Sequence, residues 1–203
     1  MSSLASILSA FGLSAASGLN AYIPLLLVGL TARFTDWIKL SAPFDLLANE
    51  WVIGVLVILL GIEFFADKIP LVDHANDVIQ TFVRPAAGAI LFASEANVIT
   101  QVNPVIALIL GLLVAFGVHA TKATARPLVT VTTGGIGNPI VSTVEDVAAV
   151  GLTLSAILAP ALLVFAFIAL LLAAYMIWSR KRRTVTIEAS TNSSSSPPLK
   201  WPQ

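Results

Sequence analysis

The chain alternates long apolar stretches with short clusters of charge. Uncharged runs cover residues 1–32, 51–62, 85–94, 96–121, 127–144 and 147–179. A helix that crosses a bilayer needs about 20 apolar residues to cover about 30 Å of hydrocarbon. The first, fourth and last runs reach that length unaided. The run 51–62 reaches it only with Glu63 and Asp67 at or within the membrane. The run 85–94 does so only if its helix starts near Asp73 and carries Arg84 inside. The pattern predicts an all-α polytopic membrane protein of about six transmembrane segments, roughly 4–31, 50–67, 74–95, 102–125, 142–158 and 160–179. Leu158-Ala159-Pro160 reads as a tight turn between the last two segments or as a kink in one long helix.

The positive-inside rule orients these segments. Arg180, Lys181, Arg182 and Arg183 follow the last apolar run and place the C-terminus in the cytoplasm. Six crossings return the N-terminus to the same side. Lys68, Lys122 and Arg126 then fall in inner loops, with Arg33 and Lys39 outside. The first apolar run is too long for a signal-peptide core and has no basic residue before Arg33, so it reads as a retained helix. Residues 1–183 form the expected transmembrane domain. Residues 184–203 lack an apolar face and read as a disordered cytoplasmic tail.

Composition narrows the function classes. Of the 203 residues, 57% are hydrophobic and 11% charged, with a mean hydropathy of +0.92. A soluble domain carries about 25% charged residues, so an ordinary cytosolic globule is excluded. Eleven basic residues balance eleven acidic ones, leaving no basic field to recruit nucleic acid. With no cysteine, disulfides, thiolate metal sites and cysteine nucleophiles are excluded. Membrane lipids are the expected partners, together with further copies of the chain in a homo-oligomer.

The informative residues are the polar ones at membrane depth, where a charge costs at least about 2.5 kcal/mol on insertion scales. Asp73, Asp77, Gln80 and Arg84 recur at helical spacing and draw one polar stripe down the third segment, with Val78, Ile79, Phe82 and Val83 on other faces. Arg84 falls near mid-bilayer, and Pro85 beside it disfavours helical geometry there. A guanidinium at that depth needs an anion or a wet cavity. Glu63 is the best partner, because a carboxylate near a helix C-terminus opposes the macrodipole and wants another reason to be there. The pair either fixes helix packing or lines a path for a solute or proton. Asp73, His74 and Asp77 offer oxygen and nitrogen ligands for a divalent cation; alternatively Asp73 is an N-cap and Asp77 a first-turn acid.

Ser142-Thr143-Val144-Glu145 reads as a capping box, which explains Glu145 and Asp146 locally as a helix start. Before it, Thr132-Thr133-Gly134-Gly135-Ile136-Gly137-Asn138-Pro139 opposes helix, so 127–141 is either a re-entrant element or a surface loop. His119, Lys122 and Arg126 share one face; they read as an inner-leaflet anchor at the headgroups, or as a basic wall facing the acidic stripe. In the first segment, Ser17-Gly18-Leu19-Asn20-Ala21-Tyr22-Ile23-Pro24 interrupts the helix, and Pro24 frees a backbone carbonyl near Asn20. Ala10-Phe11-Gly12-Leu13 and Ala115-Phe116-Gly117-Val118 lie in the first and fourth segments and hint at a 3+3 inverted repeat.

The blocks Ser17 to Pro24, Glu63, Ala66 to His74, Thr81 to Gly88 and Asn138-Pro139 through Glu145-Asp146 together resemble a bacterial integral-membrane family, domain of unknown function 4126. The resemblance covers about residues 5–180. It implies a small multi-pass inner-membrane protein and brings no reaction, substrate or catalytic residue.

Three functions compete. The first is a small transporter or channel-like protein that moves an ion or small polar solute, with proton coupling through carboxylates. Its cavity residues would be Asn20, Glu63, Asp67, Asp73, Asp77, Arg84, Glu145 and Asp146. The second is a non-catalytic scaffold, oligomer subunit or lipid-contact protein. Small residues in Gly12-Leu13-Ser14-Ala15-Ala16 and Ala86-Ala87-Gly88 would serve its close helix contacts. The third is an intramembrane enzyme using Asp73-x-x-x-Asp77 and Arg84-Pro85 in magnesium-diphosphate chemistry; no second acidic cluster or serine-histidine arrangement accompanies it. The expectation is a non-enzymatic protein without a catalytic residue or cofactor, a divalent cation at Asp73, His74 and Asp77 being the exception to test.

Overall fold

In the computed structural model the described residues are 3–66, 70–95, 102–134 and 136–160, with isolated positions at 162, 168, 172, 175 and 176. Backbone alone is described at 3, 70–75 and 77. Six α-helices and one 3-10 turn, Phe44–Ala48, make up the architecture, with no β-strand among the described residues. The helices are α1 (Ser3–Leu19), α2 (Tyr22–Phe34), α3 (Glu50–Ala66), α4 (Pro70–Ser94), α5 (Pro104–Thr133) and α6 (Asn138–Leu158). The chain divides into two compact units, residues 1–163 and 164–203. The second is described only at Ile168, Leu172, Tyr175 and Met176, which are helical and exposed. The expected tail, 184–203, lies outside the described residues, as does most of the expected segment 160–179.

α1 is the centre of the first unit and packs against α4, α5 and α6. Its sequence explains why. Ser6, Ser9, Ala10, Ser14, Ala16 and Ser17 are all buried and small, so three neighbours can approach its backbone. The hydroxyls go to carbonyls of those neighbours: Ser9 Oγ donates to Ala156 O (2.7 Å) and Ser14 Oγ to Gly88 O (3.0 Å). α4 and α5 form the most extensive pair. They cross at Gly88 and Gly111, where a Cβ on Gly111 would run into the Gly88 carbonyl and the Phe92 side chain. α3 packs chiefly on α2, and Arg33 ties the two ends together through Glu50 (3.1 Å) and Ala48 O (3.1 Å).

Several boundaries differ from those the sequence predicts. The single segment 4–31 is two helices, broken at Asn20-Ala21. Asn20 Oδ1 accepts from the Tyr22 and Ile23 amides (3.0 Å each) and so caps α2 one residue early. α4 begins at Pro70, so Asp73 stands within its first turn and is not its N-cap. α4 also runs straight through Pro85, which removes only the bond to the Thr81 carbonyl.

α5 likewise continues through Pro127 to Thr133, and the expected re-entrant element or loop at 127–141 is a tight helical hairpin. Gly134 closes α5 in the left-handed conformation (φ 63°), where glycine carries no Cβ penalty. Thr133 Oγ1 accepts from the Gly137 amide (3.1 Å), and Thr130 Oγ1 donates to Asn138 Oδ1 (3.1 Å). α6 therefore starts at Asn138, with Pro139 in its first turn, and Ser142 to Glu145 are helix interior with no capping box at the start.

The polarity of the first unit is inverted relative to a soluble globule. Charged Glu63, Arg84, Lys122 and Arg126 are buried. Trp51, Ile58, Phe65, Phe82, Leu113 and Val147 are exposed. Among the described residues two helices, Pro104–Thr133 and Asn138–Leu158, are long and apolar enough to cross a membrane.

Candidate functional site

The interior of the bundle holds two linked polar clusters. The first joins α3, α4 and α5. Arg84 is fully buried, Glu63 is 2% exposed, and Arg84 Nη2 donates to Glu63 Oε1 at 3.0 Å. The partnership read from the sequence is thus present in the fold. Arg84 Nη1 lies 3.1 Å from His119 Nδ1, and His119 Nε2 lies 3.1 Å from Thr81 Oγ1. A guanidinium can only donate, so Nδ1 must be the bare nitrogen. His119 is then the neutral Nε2–H tautomer, with Nε2 donating to Thr81.

Gln80, one turn before Arg84, is 1% exposed and interacts with the Tyr22 hydroxyl of α2. Gln80 Oε1 and Arg84 Nε have no hydrogen-bond partner among the described residues. Buried polar atoms of native proteins are nearly always paired, so two such atoms one turn apart mark a place where a further polar group is welcome.

The second cluster sits at the helix break. α1 ends at Leu19, and its terminal carbonyls carry the negative end of the helix dipole. Lys122 Nζ of α5 donates to Leu19 O (3.0 Å) and pairs with Glu145 Oε2 of α6 (2.7 Å). Arg126 Nη2 reaches the same Glu145 oxygen at 3.3 Å. Beside them Asn20 Nδ2 donates to Asp146 Oδ1 (3.0 Å), so Asn20 caps α2 with one atom and holds α6 with the other. Three interior cations (Arg84, Lys122, Arg126) face three carboxylates (Glu63, Glu145, Asp146), which makes the set neutral overall.

The headgroup-anchor reading of His119, Lys122 and Arg126 is corrected by this arrangement. All three are buried, because the face they share is the one α5 turns towards α1, α4 and α6. The helix-start reading of Glu145 and Asp146 is corrected too: Glu145 pairs with Lys122 and Arg126 of α5, and Asp146 accepts from Asn20 at the break between α1 and α2. Asp67 lies outside the described residues, as do the side chains of Asp73, His74 and Asp77, the expected cation ligands. Among the described residues no three His, Asp or Glu side chains gather as a metal site.

Sequence reasoning passed over the roles of Thr81, Tyr22 and the Leu19 carbonyl. Thr81 and Gln80 lay on or beside the predicted polar stripe, a usable signal. Pro24 pointed to a freed carbonyl at Asn20, one residue from the one engaged. Nothing in the chain pointed to Lys122 as its partner across a separation of 103 residues.

A cavity of about 620 Å³ opens beside this site, lined by residues of α3 and α6 and by Ile23 of α2. It is lined by apolar side chains apart from Thr143 and Asp146. No curated protein and no solved structure matches the chain. One family model does, over residues 7–181, and by that match the chain belongs to the domain of unknown function 4126 family.

Proposed function

We propose that this is a multi-pass inner-membrane protein, with both termini cytoplasmic, that moves an ion or small polar solute through its charged interior without enzymatic chemistry. The inverted polarity supports the membrane reading: apolar side chains outside and ion pairs inside suit lipid, where charges survive only paired or in a polar compartment. One observation carries the transport reading. A polar chain runs from Glu63 through Arg84 and His119, and a second from Lys122 and Glu145 to Asn20 and Asp146, meeting a helix broken in its middle. Broken helices place backbone ends beside a solute path, and the unpartnered Arg84 Nε and Gln80 Oε1 mark a step along it. Carboxylates and an imidazole on one chain suit proton coupling.

The test is flux in proteoliposomes loaded with the pH dye pyranine and given an imposed potential or a gradient of a small cation or anion. Wild-type protein is expected to move charge or protons faster than protein-free vesicles, and folded Glu63→Gln and Arg84→Ala to lose that flux. Wild-type vesicles no faster than empty ones, or both variants at the wild-type rate, overturn the reading. A second reading, a packing scaffold or oligomer subunit, draws on the charge balance of the interior and the Gly88–Gly111 crossing. It expects both variants to lose stability and function in proportion.

A further inference from the structure

The first two helices run in opposite directions. α1 starts beside the end of α4, where Phe11 meets Phe92 edge to face and Ile7 packs on the cluster of Ala10, Phe92, Ala93 and Ala107. Phe44, in the 3-10 turn after α2, packs on that same cluster. Leu47 of the same turn shares the neighbouring cluster with Leu91, near the end of α4, and Ala156, near the end of α6. The chain therefore comes back to the level at which it began, and the reversal falls at Asn20-Ala21. α1 and α2 have 17 and 13 residues. A crossing needs about 20, so α2 is well short of one.

The reversal lies deep in the bundle. Lys122, which holds the Leu19 carbonyl, stands about 16 Å from the Thr133 end of α5 at 1.5 Å per residue. Asp146, which holds Asn20, stands about 12 Å from the start of α6. α5 and α6 thus run on past Asn20 by nearly half of a hydrocarbon core of about 30 Å.

The backbone groups freed by the reversal are met by protein. Lys122 Nζ donates to the Leu19 carbonyl, and Asn20 Oδ1 accepts from the Tyr22 and Ile23 amides. A helix end in water needs no such partners, whereas one at membrane depth must find them inside the protein. The seat is also tight: a Cβ on Gly18 would run into the Ala115 carbonyl and the Val118 side chain of α5.

We propose that α1 and α2 form a re-entrant hairpin, which enters and leaves the bilayer by one face and turns at Asn20-Ala21 near mid-depth. The start of α1 and the connection 35–49 then share that face, where a single crossing by residues 4–31 would put them on opposite sides. Between the face and the hairpin tip the packing is dry, with Ala10, Leu13 and Phe92 at most 3% exposed. Lys122, Arg126 and Glu145 lie at the tip or beyond it, towards the turn between α5 and α6. The hairpin thus closes the charged interior towards the face by which it enters. The proposal rests on the membrane reading and adds how the first two helices sit in the bilayer.

The chain has no cysteine, so single cysteines report sidedness without a background. Leu4→Cys, Ser41→Cys and Ile136→Cys replace exposed residues at the start of α1, in the connection after α2, and between α5 and α6. Each full-length variant is labelled with a membrane-impermeant maleimide in spheroplasts and in inverted membrane vesicles. Leu4→Cys and Ser41→Cys are expected to label at least five-fold more in one and the same preparation, and Ile136→Cys in the other. A nitroxide on Val147→Cys, exposed beside Asp146, reads the depth of the tip. In reconstituted bilayers its collisions with oxygen are expected to exceed those with a water-soluble nickel chelate at least five-fold.

Leu4→Cys and Ser41→Cys labelled from opposite sides, all three labelled from one side, or a nitroxide met mainly by the chelate overturns the inference. Each of those outcomes leaves the flux experiment on Glu63 and Arg84 standing. Equal labelling of all three variants in both preparations would overturn the inference together with the membrane reading beneath it.

Discussion

Neutralising Glu63 gives the sharpest test of the buried pair. In Glu63→Gln the Arg84 guanidinium stays fully buried and loses the carboxylate 3.0 Å away. At an effective dielectric constant of about 20, two unit charges about 3 Å apart attract by about 5 kcal/mol. Breaking a buried pair by removing one partner costs about 3–5 kcal/mol by mutation. The glutamine amide oxygen can still accept from Arg84 Nη2, and such a bond returns about 1 kcal/mol. The expected loss is therefore about 2–4 kcal/mol. Removing both charges, as Glu63→Leu with Arg84→Met, leaves no uncompensated ion and is expected to fall within about 2 kcal/mol of wild type. The cycle needs Arg84→Met alone as its fourth corner. Reversible unfolding by dodecyl sulfate in mixed micelles, followed by far-UV circular dichroism, measures all four. A loss under about 0.5 kcal/mol for Glu63→Gln refutes the reasoning, since it would mean that water already solvates both groups. Additive single costs would refute it as well.

Two further outcomes follow from the geometry. Gly111→Leu drives a side chain into the α4 backbone and is expected to cost at least about 3 kcal/mol in the same unfolding assay, whereas Gly117→Ala, with open space around it, is expected to be neutral or to gain up to about 1 kcal/mol. In nitrogen-15 spectra of imidazole-labelled protein, His119 is expected to show a bare Nδ1 and a protonated Nε2, and Arg84→Met is expected to blur that preference; a protonated Nδ1 in the wild type would exclude the Arg84–His119 bond.

Much of the site is written in local spacing. The stripe through Gln80 and Arg84 and the oddly placed Glu63 were legible because a charge in an apolar run demands a partner whatever the fold. The interruption around Asn20 was legible for a similar reason, since glycine, asparagine and proline together seldom stay helical. What escaped was anything decided by a neighbour. The spacing of His119, Lys122 and Arg126 suits a headgroup anchor and an interior wall equally well. Only the end of α1, brought alongside by tertiary packing, makes the wall. Ser142 to Glu145 matched a capping box because the pattern looks no further than four residues, while Thr130 and Thr133 had already turned the chain and started α6 earlier. The segment expected to end near residue 125 runs on through Pro127 to Thr133, because one lost backbone bond costs a 30-residue helix little of its ladder.

The crossing of α4 and α5 has a mechanical consequence. Gly88 and Gly111 press two backbones together with no side chain between them to act as a bearing, so these helices cannot slide past one another without a clash. With α1 stitched to α4 by Ser14 and packed against α5, three rods form a stator. α2 and α3 are attached differently, through the uncoiled joint at Asn20-Ala21 and a lightly seated outer rod. Displacing α2 and α3 would therefore break none of the glycine contacts of the stator, and a tether from α3 to α6 would restrain those two helices without touching it.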